Sequence, residues 1–272
     1  AAMRAQVDYV INGGLHGILA FGSNGEFYQI EEEEMERGFK IMVDQAAGRV
    51  PVYFGIGAIN TKKCVRLAKM AVANGAAGIS ILQPMFLKPN FNELFLHFKT
   101  IAEAVPETPI IMYNVPSRTG CNIQPATAVA LAKNVKNIVG IKAASGDLSQ
   151  IATMMSMADG CIELYSGNDD QVVPILSLGG LGVISVVSNV APKFMHDMVT
   201  SYLKGDVKTA AQMQIDSIPL CNALFCEVNP IPVKAALNMM GKEVGTLRAP
   251  LTEMEPQNQE ILRRAMADMK LI

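Results

Sequence analysis

The sequence predicts an α/β fold, a (β/α)8 TIM barrel with a C-terminal helical extension, on three observations. Seven short apolar runs alternate with longer segments of helical period. Each run is apolar on nearly every residue instead of every second one, as a parallel strand covered on both faces requires. The third observation is a junction rebuilt along the chain, in Asn12-Gly13-Gly14-Leu15-His16-Gly17-Ile18, Asn74-Gly75-Ala76-Ala77-Gly78-Ile79 and Leu178-Gly179-Gly180-Leu181-Gly182-Val183. Every copy runs helix stop, turn, glycine, strand start, which is the order of a βα array.

In chain order the expected strands are Gly17 to Phe21, Val50 to Phe54, Gly78 to Leu82, Pro109 to Tyr113, Ile138 to Lys142, Ile162 to Ser166 and Gly182 to Val187. Between the first two, Glu31 to Glu34 supply an acidic first turn, followed by Met35, Phe39, Met42 and Val43 at helical spacing. Thr61 is the expected cap of a helix with Cys64, Leu67, Ala68 and Ala71 on one face, which Asn74-Gly75 ends. Phe95, Phe98, Ile101, Ala102 and Val105 form another apolar stripe, and Asp147 caps a helix carrying Ile151, Met154, Met155 and Ala158. Beyond Ala191 the strand signals stop, and Asp206 to Phe225, Pro232 to Met240 and Gln257 to Leu271 read as helices. The domain reading is therefore a barrel over 1–191, with the last barrel helix and a helical region over 192–272. A seven-membered closure would be exceptional and the chain opens on a helix, so the first barrel strand is expected to precede Ala1. An open doubly wound sheet is the competing architecture, and it accounts less economically for the repeated junction.

Composition narrows the function. The 272 residues carry 23 Lys+Arg against 25 Asp+Glu, a net charge of −2, which is unsuited to neutralising nucleic-acid phosphates. Half of the residues are apolar and 18% are charged, as in a chain with a large shared core. No apolar stretch is long enough for a membrane helix, and Arg4, Asp8 and Asn12 interrupt the opening segment as a signal peptide would not. A cytoplasmic protein is the expectation. The five cysteines and His16, His97 and His196 show no metal-ligand spacing, so buried thiols and isolated histidines are expected, with no metal. The glycine clusters precede strands instead of leading into helices, so no nucleotide site is indicated.

A barrel carries its chemistry at the carboxyl ends of the strands. Those ends offer Gly22-Ser23-Asn24-Gly25-Glu26 after the first strand, Tyr113 after the fourth and Lys142 after the fifth. A lysine ending an apolar strand is withdrawn from water and available as an amine nucleophile, whose natural chemistry is imine formation with a ketone or aldehyde. A lysine that snorkels outward or pairs with Asp147 is the competing reading. Tyr113 suits a proton relay that Ser23 could anchor, against a barrel-layer aromatic and a plain turn. Arg118, in Val115-Pro116-Ser117-Arg118-Thr119-Gly120, has the planar fork for a carboxylate, against an ordinary surface arginine.

These segments, together with Ser166-Gly167-Asn168-Asp169 and Gly179-Gly180-Leu181-Gly182-Val183-Ile184-Ser185, resemble the class I aldolase-type family of dihydrodipicolinate synthase and N-acetylneuraminate lyase. The Arg118 loop and Asn229-Pro230-Ile231-Pro232-Val233-Lys234 look most like the synthase branch. The resemblance implies that Lys142 forms an imine with pyruvate, Tyr113 shuttles protons and Ser23 links Tyr113 to the relay. It further implies that Ser23 and Asn24 backbone groups hold the pyruvate carboxylate, that the Ile184 carbonyl lies beside the imine, and that Arg118 orients the carboxylate of an aldehyde. In the synthase that aldehyde is L-aspartate 4-semialdehyde, and the product, 4-hydroxy-tetrahydrodipicolinate, belongs to lysine biosynthesis. No dissociable cofactor is implied. A homotetramer of two tight dimers, or a homodimer, is.

The sequence departs from the synthase pattern in three places. Ser23-Asn24 replaces a threonine pair, keeping the hydroxyl and altering the carboxylate pocket. Met85 and Phe86 replace a tyrosine pair of which one member completes the relay from a neighbouring subunit, and neither carries a proton. Phe27, Tyr28, Glu32, Met35, Ile59 and Lys63 occupy the positions of a lysine-feedback site and match it poorly. Gly-Ser-Asn-Gly-Glu-Phe also resembles relatives acting on keto-deoxy sugar acids or 4-hydroxy-2-oxoglutarate, which gives a pyruvate-dependent aldolase or dehydratase as the alternative. A non-catalytic keto-acid-binding barrel is a second alternative, against which the joint presence of Lys142, Tyr113 and Ser23 argues.

Overall fold

The computed structural model describes residues 1–272. Helix α1 (Ala2–Asn12) leads into strand β1 (Ile18–Ala20), and α2 (Glu32–Ala46), β2 (Val52–Ile56), α3 (Thr61–Ala73), β3 (Gly78–Leu82), α4 (Phe91–Glu103) and β4 (Ile110–Asn114) follow. Next come α5 (Pro116–Thr119), α6 (Pro125–Asn134), β5 (Ile138–Ala143), α7 (Leu148–Ala158), β6 (Glu163–Ser166), α8 (Val172–Ser177) and β7 (Gly182–Val183). Four helices complete the chain: α9 (Pro192–Leu203), α10 (Val207–Ala223), α11 (Ile231–Met239) and α12 (Pro256–Asp268). No helix is long and apolar enough to cross a membrane.

All seven strands are parallel and ordered β1 to β7 without a crossover, so β1 and β7 are the edges of the sheet. A single cavity of about 450 Å³ is lined by Leu19, Tyr53, Ser80, Ile111, Lys142, Tyr165 and Val183, one residue from each strand. A flat doubly wound sheet cannot surround one cavity with all its strands; a sheet curled into a barrel does.

The repeated junction is real in three dimensions. Gly14, Gly75 and Gly179 take φ of 89°, 88° and 88°, a region open to glycine, and each turns the chain from a helix end toward the next strand. The α3 stripe stands as read, burying Cys64, Leu67, Ala68 and Ala71; α7 buries Ile151, Met154 and Ala158, with Met155 only partly buried against the same core. Strand β3 is buried at all five positions.

Several details differ from the sequence reading. The cap of α3 is Asn60, whose side chain accepts from Lys63 N, because the Thr61 hydroxyl is committed to His97 Nδ1 at 2.8 Å. Strand β7 ends at Val183 instead of Val187, since Val186 N and Val187 N donate to the Asp169 carboxylate at 2.9 and 3.1 Å and leave no strand ladder to extend. Cys64, Cys121 and Cys221 are buried thiols, whereas Cys226 is exposed. The apolar interior has two main parts, one between sheet and helices α1 to α8 and another joining α8 and the turn after β7 to helices α9 to α12.

Candidate active site

Strand register brings the two chemical groups together. Tyr113 of β4 is the direct partner of Lys142 of β5, so both side chains leave the sheet on the same face. Lys142 is only 6% exposed, has no carboxylate within salt-bridge distance, and places Nζ over the Tyr113 ring, 4.1 Å from its centroid. Asp147, the alternative partner, instead accepts from Gln150 N as the cap of α7. On the other side Lys142 pairs in register with Tyr165, which shares the cavity wall with it. Burial and the Glu163 carboxylate, whose Oε2 accepts from the phenol at 3.0 Å, push the Tyr165 hydroxyl upward.

Asn24 and Ile184 line the same cavity as Lys142. Ser23 and Asn24 form a short 3-10 turn, Ser23–Gly25, immediately beyond β1. No hydrogen bond joins Ser23 Oγ to the Tyr113 hydroxyl. The position of Ile184 depends on Asp169, which sequence reading had not marked as part of the machinery. Its buried carboxylate accepts from the Ser185 hydroxyl and from Val186 N and Val187 N, the residues directly after Ile184. Burial pushes the Asp169 carboxyl up, opposed by those three donors and by the charge of Lys142 nearby.

Arg118 does not line the cavity with Lys142. It sits on the exposed side of α5, close enough to Tyr28 to oppose the upward push that burial and Glu26 exert on that phenol. The short helix is held from beneath by Gln83 at the end of β3. Gln83 Nε2 donates to Asn114 Oδ1 at 3.0 Å, Thr119 Oγ1 at 3.1 Å and Cys121 O at 2.8 Å. Met85, like Tyr113 and Phe27, packs against the small cluster of Leu82, Val115 and Ala144. Phe86 points away, 86% exposed, on a backbone with φ of 74°.

The model of the dihydrodipicolinate synthetase family matches residues 1–269. The 4-hydroxy-tetrahydrodipicolinate synthase of Clostridium tetani is 44% identical over 266 residues, 98% of this chain and 90% of that protein. The enzyme of the same name from Methanopyrus kandleri is 42% identical over 270 residues, 99% of this chain and 90% of that one. The crystal structure of dihydrodipicolinate synthase from Thermotoga maritima superposes with a TM-score of 0.97 at 38% identity, covering 100% of this chain and 92% of its own. The chloride-inhibited synthase from Acinetobacter baumannii, complexed with pyruvate, gives a TM-score of 0.96 at 38% identity with 100% and 92% coverage. A buried strand-end lysine over a tyrosine, in a barrel that superposes on these enzymes along its whole length, identifies the chain as a member of the dihydrodipicolinate synthetase family.

Proposed function

We propose that this chain is a Schiff-base lyase that condenses pyruvate with L-aspartate 4-semialdehyde to give 4-hydroxy-tetrahydrodipicolinate. The observation that carries the reading is Lys142, buried on the cavity wall, with its Nζ over the half-buried Tyr113 ring and the two residues aligned by strand register. Lys142 Nζ adds to the pyruvate ketone, and loss of water gives the imine. Proton removal from the adjacent methyl then gives an enamine. The enamine carbon attacks the aldehyde, forming the carbon–carbon bond. The amine of the second substrate then adds to the imine carbon, closing the ring and releasing Lys142. Tyr113 passes the protons, with Ser23 as its link. Ser23 and Asn24 backbone groups hold the pyruvate carboxylate, the Ile184 carbonyl faces the imine, and Arg118 receives the carboxylate of the aldehyde. Each step moves protons and electron pairs only, so no dissociable cofactor enters.

The second substrate has one competitor. Met85, packed against the same cluster as Tyr113, and Asn24 in the cavity favour, as an alternative, a pyruvate-dependent aldolase or dehydratase acting on keto-deoxy sugar acids or 4-hydroxy-2-oxoglutarate. Borohydride reduction with pyruvate, intact mass and peptide mapping test the common step, with Lys142→Ala as control. A reduced pyruvyl adduct on Lys142 is expected, followed by turnover of L-aspartate 4-semialdehyde. No adduct from folded protein overturns the lyase reading in favour of a keto-acid-binding barrel, and turnover confined to sugar-acid substrates selects the alternative. The poor match at the feedback positions makes turnover insensitive to lysine, which a lysine titration checks. The assembly proposed is a homotetramer of two tight dimers or a homodimer, in the cytoplasm. Light scattering tests the assembly, and a monomeric synthase variant, 38% identical with a TM-score of 0.97, provides the contrast.

A further inference from the structure

The segment after β1 is two 3-10 turns, Ser23–Gly25 and Phe27–Gln29, joined at Glu26. The Glu26 backbone is left-handed, φ 55° and ψ 30°, a conformation that a residue with a bulky side chain rarely keeps without outside support. That support comes from 208 residues away: Lys234 Nζ of α11 donates to Glu26 Oε2 at 2.8 Å. The same ammonium donates to Thr246 O at 2.6 Å. The Lys234 and Glu26 side chains are 16% and 12% exposed, so the pair is shielded from water in a way that no other ion pair of the molecule is.

The flanking residues dock onto the same region. The Tyr28 hydroxyl donates to Asn229 O at 3.3 Å, and Gln29 Nε2 donates to Arg248 O and Ala249 O at 3.1 and 3.0 Å. Phe27 packs in the cluster that holds Tyr113. Glu26 is therefore the hinge between Asn24, on the cavity wall, and Phe27, which packs against the same Leu82, Val115 and Ala144 cluster as Tyr113.

We infer that Lys234 and Glu26 are positioning residues for the keto-acid end of the site. Their ion pair sets the Ser23–Asn24 turn against Lys142, which makes the C-terminal helical region a working part of substrate binding. The inference rests on the reading above, that this turn holds the pyruvate carboxylate. Removing either partner leaves a shielded charge uncompensated and frees the hinge, so the turn loses its set position.

The test measures borohydride-trapped adduct on Lys142 against pyruvate concentration, in the full chain and in Lys234→Met, Glu26→Gln, the double variant and Lys234→Arg. Each single loss should raise the half-saturating pyruvate concentration by about tenfold or more while adduct yield at saturation persists. The double variant should be no worse than the worse single one, because both remove the same link. Lys234→Arg should recover most of the loss, and KM for the aldehyde should stay within about threefold. Lys193→Gln breaks an exposed ion pair with Asp197 on α9, outside the docked region, and should leave the pyruvate midpoint unchanged. Should Lys234→Met fail to fold, Glu26→Gln, which keeps shape and volume, carries the test. Unshifted midpoints in variants of an active parent overturn this inference alone, as do additive effects or an equal shift in Lys193→Gln. Failure of the parent itself to form the adduct overturns the site reading first, and this inference with it.

Discussion

Lys142 and Tyr113 stand on neighbouring strands and are aligned by the sheet, whereas Ser23 and Asn24 stand on a loop aligned by helices that come late in the chain. On the first side of the site, position follows from backbone pairing: Lys142 has Tyr113 on one flank and Tyr165 on the other. On the second, the two 3-10 turns have no sheet partner, and a buried ion pair with three polar contacts to residues 229–249 stands in for one. On the proposed reading, the groups that make and break bonds are carried on the stiffer support, and the group that receives a carboxylate on the adjustable one. Such a division predicts which perturbations strike chemistry and which strike binding.

The largest effect should come from the sheet side. Tyr113→Phe keeps the ring under Lys142 and removes the proposed proton carrier, so kcat should fall by about 10²–10⁴-fold while the adduct on Lys142 still forms at saturating pyruvate. Single-turnover kinetics separates the two steps. A fall of less than about tenfold would mean that another group moves the proton, and Tyr165, in register on the far side of Lys142, is the first to substitute.

The shell behind the wall provides the next test. His97 of α4 is buried, and desolvation pushes it down to about 4. The unfolded histidine, near about 6.5, takes up a proton first as pH falls, so this contribution is present above about pH 6.5 and is lost toward pH 4. The full difference is about 3 kcal/mol. Thermal unfolding should show Tm dropping across that window, and His97→Phe should flatten the drop at some cost at neutral pH from the lost Thr61 bond. If the wall and the loop are separately supported, the Lys142 adduct midpoint should be the same in His97→Phe as in the parent.

The same contrast explains what could be read from the chain. Lys142 and Tyr113 were legible because a polar residue ending a fully apolar run stands out, and neighbouring strands in a parallel array set such ends side by side. The helix α3 stripe and the Gly14, Gly75 and Gly179 turns were legible for the same local reason. Glu26 and Lys234 were both inside segments that attracted notice, yet their pairing was invisible, because nothing local specifies a contact across 208 residues. Asp169 was hidden in the same way: its partners lie at 185–187, on the next strand's loop, and their commitment to it is what shortened β7.

Gln83 tests whether the Arg118 helix behaves like the wall or like the loop. It is 1% exposed, and its amide is the polar link from β3 to α5 and the segment after it. Gln83→Leu should cost about 1–3 kcal/mol of stability by stranding buried acceptors. With Arg118 less well held, KM for the aldehyde should rise and the pyruvate midpoint should not. A rise in the pyruvate midpoint instead would place α5 with the Ser23–Asn24 turn, and not with the second substrate.

The smallest effect sharpens the comparison most. Asp147 caps α7 in the loop that follows Lys142, its side chain accepting from Gln150 N at 2.9 Å. Asp147→Ala should cost about 1 kcal/mol, read as a lower Tm. Asp147 lies five residues from Lys142 and Glu26 three from Ser23, so sequence distance alone gives the two losses similar consequences for function. Support from the sheet gives them unequal ones: Lys142 is held by pairing on both flanks, and a frayed α7 leaves that pairing in place. Turnover and the pyruvate midpoint should therefore remain within about twofold of the parent in Asp147→Ala, where Glu26→Gln shifts the midpoint about tenfold. A loss of kcat in Asp147→Ala would show that strand register does not by itself fix the lysine, and that the wall, like the loop, depends on what is docked behind it.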